Sequence, residues 1–98
     1  MSPAPEKSVR AIIYGRVQGV WFRDATRREA RRLGVDGWVK NHADGRVEAL
    51  FQGSPAAIDD IVRWCADGPP LARVDDVTSS DELHDPILTG FTIRPTAD

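Results

Sequence analysis

Across residues 15–23 the hydrophobic spacing of this chain changes from that of a strand to that of a helix. The change falls inside Gly15-Arg16-Val17-Gln18-Gly19-Val20-Trp21-Phe22-Arg23. Before it, Val9, Ala11 and Ile13 alternate with Arg10, Ile12 and Tyr14, the pattern of a strand with one face on a core, and the strand is expected over about Ser8 to Val17. After it, Phe22, Ala25, Thr26, Ala30 and Leu33 recur at helical spacing, while Arg27, Arg28, Arg31 and Arg32 crowd the other side. Gly34 is a natural terminator for that helix. A strand that stops at a tight turn and feeds a helix aims unpaired backbone N–H groups and a positive dipole end at one point. The run Val17, Gln18, Gly19, Val20, Trp21, Phe22 and Arg23 therefore reads as an anion cradle, with Arg23 adding a planar, permanently charged fork for two oxygens. The competing reading is a plain turn whose glycines serve geometry, with Arg23 solvated like most arginines. Against it, a cation in a first helical turn opposes the dipole unless an anion compensates.

Downstream, Val35 to Asn41 and Arg46 to Gln52 are strand-like, with the hairpin signal Asp44-Gly45 between them. Ser54 as N-cap and Pro55 at the first helical position start a second helix, whose buried stripe is Ile58, Ile61, Val62 and Cys65. Asp67-Gly68-Pro69-Pro70 ends it. A fourth strand is expected at about Ala72 to Ser79, then a polar connection, then a short apolar stretch Phe91-Thr92-Ile93. Strand, helix, strand, strand, helix, strand is the split βαβ order of an α+β, ferredoxin-like sandwich with two helices on one face of an antiparallel sheet. That fold by itself hosts many functions.

Composition narrows the field without deciding it. Ninety-eight residues at 41% hydrophobic content support one core. The expected division is a flexible tail over residues 1–7 and a single domain over 8–98. A net charge of -2 offers no global positive field for a polyanion, so any anion site is local. The start of the chain has no apolar signal region and no segment approaches the length of a membrane span, which points to a cytoplasmic protein without a membrane partner. One cysteine, Cys65, excludes an internal disulfide and a thiolate metal site, and reads as core filler.

The first run closely resembles the signature G-x-V-Q-G-V-x-F-R of the acylphosphatase family. Gly37-Trp38-Val39-Lys40-Asn41, followed by Asp44-Gly45 and Val47-Glu48, is similar to that family's second motif at the expected distance. The resemblance extends over most of the chain. It implies the sheet order 4-1-3-2 with the terminal stretch as a short extra strand, and hydrolysis of acyl phosphates without cofactor or metal. It also implies phosphate binding by Arg23 and orientation of a water by Asn41. Many members end in an aromatic residue soon after the F-x-I stretch, whereas here Arg94 runs into Pro95, so a short last strand is expected.

The implied chemistry is physically consistent. An acyl phosphate is a mixed anhydride whose leaving carboxylate has a conjugate acid of pKa about 4, so it departs without a proton. Phosphoryl transfer through a loose transition state is helped by positioning and by neutralising the peripheral oxygens. Backbone N–H groups from Val17 to Arg23 and the Arg23 guanidinium supply both, and a neutral amide such as Asn41 suits a water that must be held in line. With the two central strands parallel, the end of the second strand falls near the first loop. Asn41 could equally open the hairpin. Expected partners are a small-molecule acyl phosphate and competing inorganic phosphate or sulfate, bound by a monomer.

His42 is not needed as a base in this scheme, His84 reads as solvated, and Trp38 and Trp64 as packing residues. Trp21 faces either solvent or the acyl side of the pocket. The arginine row leaves one alternative, a ferredoxin-like RNA-binding or accessory regulatory module. Asp24 and Glu29 dilute the row, and the strands lack a base-stacking aromatic platform, so no nucleic acid partner is expected.

Overall fold

The structure is a computed structural model that describes residues 6–97. Seven elements follow in order: β1 Lys7–Arg16, α1 Phe22–Leu33, β2 Asp36–Asn41, β3 Val47–Gly53, α2 Pro55–Asp67, β4 Arg73–Asp81 and β5 Phe91–Ile93. Residues 1–5 of the expected tail lie outside the described residues, and Lys7 already belongs to β1.

The strands form one sheet in the order β4-β1-β3-β2-β5. β1 pairs antiparallel with β3 and β4, β2 pairs antiparallel with β3, and β5 adds in parallel to the free edge of β2. The expected α+β sandwich and its 4-1-3-2 order are present, but the sheet is mixed because the terminal strand is parallel. The expectation of two parallel central strands needs correction. The central pair β1 and β3 is antiparallel, and β1 and β2 share a direction only because β3 lies between them. That shared direction still brings the end of β2 and the end of β1 to the same side of the sheet.

Strand alternation decides the faces. Val9, Ala11 and Ile13 from β1, Val39 from β2 and Val47, Ala49 and Phe51 from β3 are almost wholly buried under the helices. Phe22, Thr26 and Ala30 come down from α1, and Ala57, Ile58, Ile61 and Cys65 from α2. Phe22 and Trp64 bridge the two helices with ring centroids 5.6 Å apart. Burial pushes the Cys65 thiol up to about 12, which fits a core filler and not a nucleophile. Trp38 departs from its expected packing role: it lies on the opposite sheet face between two cations, Lys40 Nζ at 4.8 Å and Arg94 Cζ at 4.7 Å from the ring centre.

β5 is short, as expected, ending at Ile93, but pairing with β2 continues past Pro95. Arg94 N donates to Val39 O, and beyond the proline Ala97 N donates to Asn41 O while Ala43 N donates to Ala97 O, each at 2.9 Å. Three residues from Arg94 to Ala97 span what Val39 to Asn41 covers in two, so the register shifts by one residue around Pro95 and the pairing resumes. The tail thereby follows β2 to its end and ties down the backbone of Asn41.

Candidate active site

Between β1 and α1 the chain makes its turn through unusual backbone. Gly15, at a register shift in the β1–β4 pairing, has φ 127°, and a Cβ there would lie 2.2 Å from Arg73 O. Only glycine leaves the strand by this route. Gly19 has φ 72°, and Trp21 has φ 66° and ψ 22°, the sole non-glycine residue with positive φ among the described residues.

Trp21 stands at the N-cap of α1 with no side-chain hydrogen bond to the helix. Ala25 N donates to Trp21 O at 3.0 Å, so the helix begins to satisfy its own amides there. Among the described residues, the amides of residues 18–24 donate to no protein acceptor. These are the orphan donors of a helix start, gathered with loop amides on one concavity and backed by the positive end of the helix dipole.

The concavity has a volume of about 500 Å³ and is lined by Val17, Gln18, Gly19, Trp21, Phe22, Arg23, Asp24, Asn41 and Ile93. The structure thus brings together Arg23, Asn41 and all but one of the loop residues marked by the sequence. The exception is Val20, which turns its side chain into the core. Arg23, half-buried on the first turn of α1, has no carboxylate within ion-pair range among the described residues. Its neighbours on the same helix are all engaged: Arg27 and Arg28 hold Asp24 at 2.7 and 2.8 Å, and Arg32 is paired with Glu29. Three of the four arginines of the row are thus paired with carboxylates of their own helix, and the fourth, Arg31, donates to Phe91 O at 3.2 Å. The Arg28 hydrogen bond, with the charges of Arg28 and Arg27, keeps the Asp24 carboxyl below its ordinary value, so it stays ionised and satisfied beside the cavity.

Asn41 ends β2 and is 9% exposed. Its Oδ1 is the one buried side-chain polar atom that finds no partner among the described residues. A buried amide oxygen left open costs about 1 to 3 kcal/mol unless something binds it. Asn41 is also one of the residues that line the cavity.

Gln18 does work that its place in the motif did not announce. Its Nε2 donates to His42 O at 2.7 Å and to Arg46 O at 3.0 Å, clasping the loop to the β2–β3 hairpin. The amide nitrogen of the side chain is committed to this clasp. Two lining residues were not marked by the sequence reading. Asp24 adjoins Arg23 and could have been suspected; Ile93 arrives from the far end of the chain through parallel pairing, for which no local signal exists.

His42 is also explained by packing. Its Nε2 donates to Glu48 Oε1 at 2.6 Å on the sheet face away from the helices, where Arg10 and, at 3.8 Å, Lys40 converge on the same carboxylate. Burial acts to raise the Glu48 pKa, but the hydrogen bonds from His42 and Arg10 and the nearby cations outweigh it and hold the group below the ordinary glutamate value. His84, half-exposed, lies 3.7 Å from Glu6.

A mixed sheet covered by two helices, with a donor-lined hollow at a strand-to-helix turn, defines a small anion-handling α+β domain. Residues 9–93 match the family model of acylphosphatases. Over 88 residues, 90% of this chain and 80% of the relative, the sequence is 54% identical to an acylphosphatase of Rubrobacter xylanophilus. In structure it is similar to an acylphosphatase of Coxiella burnetii, with TM-score 0.87 and 34% identity over 91% of this chain and 93% of that one. It is likewise similar to that of Bacillus subtilis, with TM-score 0.85 and 37% identity over 89% and 97%. The chain belongs to the acylphosphatase family. It is a hydrolase acting on small-molecule acyl phosphates, the activity by which that family is known.

Proposed function

We propose that the amides of the 17–23 loop and the Arg23 guanidinium grip the phosphoryl end of an acyl phosphate, while Asn41 holds the water that attacks it. The oxygen of that water forms a bond to phosphorus as the bond from phosphorus to the carboxyl oxygen breaks. The carboxylate leaves with the electron pair, and both protons of the water remain on the phosphate product. The leaving group is a weak base, so no general acid is needed. Charge on the peripheral oxygens meets fixed donors and a cation that have no other partner, which is stabilisation without reorganisation. No covalent intermediate or metal is required by this scheme.

The observation that carries the reading is the unpartnered Oδ1 of Asn41, a residue that lines the same hollow as Arg23. An acceptor on one side and donors on the other match a water and a phosphoryl group in line. Inorganic phosphate and sulfate should compete for the donors. The protein is proposed to work as a cytoplasmic monomer on diffusible substrates.

Steady-state hydrolysis of several acyl phosphates, with simple phosphomonoesters as controls and a chelator in parallel, tests the scheme. The expected result is cleavage of the anhydrides alone, inhibited by phosphate and indifferent to chelation. Equal cleavage of the monoesters, or loss of rate with the chelator, would overturn it.

A further inference from the structure

We propose that Trp21 and Ile93 form an acyl-side wall that favours acyl phosphates carrying a flat apolar group over those carrying a short aliphatic one. The inference rests on the hydrolytic reading above and concerns the other end of the same substrate.

Of the apolar residues lining the hollow, Val17 and Phe22 are 1% and 2% exposed and are committed to the core. Trp21 and Ile93 are the two with surface left to offer. Trp21 is 74% exposed, an expensive condition for the largest apolar side chain. Its placement is enforced, because Val20 and Phe22 on either side are both buried and pin the backbone between them. The price is a left-handed conformation, rare for a bulky residue and found mostly where a site requires it. Ile93 is held as firmly: it is in register with Val39 at the parallel β2–β5 edge, and the next amide, that of Arg94, donates to Val39 O at 2.9 Å. The polar lining groups Arg23 and Asn41 have their work at the phosphoryl end. An aromatic acyl group can lie against the indole and reach the isoleucine, whereas an acetyl methyl covers little of either. Contact with one aromatic face contributes enough for a five- to tenfold preference.

The test compares kcat/KM for benzoyl phosphate and acetyl phosphate in the wild type, Trp21→Asn, Trp21→Phe and Ile93→Ala. Asparagine is chosen because it tolerates the left-handed backbone. The benzoyl-to-acetyl ratio is expected to fall about five- to tenfold in Trp21→Asn, chiefly through KM, to recover in Trp21→Phe, and to fall by a smaller factor in Ile93→Ala. A ratio unchanged in both Trp21→Asn and Ile93→Ala, with both substrates still hydrolysed, would overturn the inference alone. Failure of the wild type to hydrolyse either substrate would overturn the hydrolytic reading beneath it.

Discussion

The two helices of this protein begin in opposite ways. α2 is sealed: Ser54 accepts from Ala57 N at 3.2 Å, and Pro55 has no N–H to leave open. α1 begins at a left-handed tryptophan with no side-chain cap and with an arginine in its first turn. One sequence thus contains both a finished helix start and an unfinished one, and the unfinished one opens onto the hollow. The sheet repeats the contrast. Glu48 collects His42, Arg10 and Lys40, while Asn41, at the end of the neighbouring strand, leaves its Oδ1 with nothing. The satisfied polar groups hold the fold, and the open ones are those proposed to serve a ligand.

The contrast can be broken at each of these groups. Arg23→Ala should lower kcat/KM by about 10²- to 10³-fold, the usual cost of one preorganised donor, with no loss in urea midpoint because the guanidinium has no protein partner to abandon. A variant that unfolds more easily yet turns over normally would place Arg23 among the structural arginines. Asn41→Ala should reduce kcat by roughly ten- to a hundredfold, as expected for a misplaced nucleophile, and leave the inhibition constant of phosphate nearly unchanged. Equal weakening of both would move Asn41 to the anion side of the site.

Glu48→Gln should do the reverse, costing stability and changing kcat of the folded enzyme little. Its folded pKa lies below that of an unfolded glutamate, about 4.3, so its stabilisation is present above that pH and fades as pH falls through the lower folded value. The gap in urea midpoint between wild type and variant should therefore be wide at neutral pH and narrow in acid. A gap independent of pH would show that the carboxylate charge contributes nothing.

Most of the architecture was legible because period and punctuation agree. Alternation in β1, Gly34 after α1, and Ser54-Pro55 ahead of α2 each state a local rule that the packing then obeys. Arg23 and Asn41 were legible as residues, since their types and motif positions point to anion and water. Their isolation from other protein partners was not, because an unpaired atom is visible only when every neighbour is in place. The same holds for Gln18, whose clasp spans 24 residues to His42, and for Glu48, whose partners come from two other strands and a turn. Ile93 and the parallel sense of β5 depended on where a short, weakly patterned segment found a free edge. Pro95 suggested an end to pairing that the chain avoids by shifting its register by one residue.

The difference between the two helix starts can be read directly by titrating the ¹⁵N-labelled protein with inorganic phosphate and following every backbone amide. The amides of residues 18–24 should move together and saturate at one concentration, while those of Ala56 and Ala57 in the first turn of α2 stay where they are. Shifts of equal size at both helices, or none at the first, would contradict the view that α1 is left open to hold a phosphoryl group.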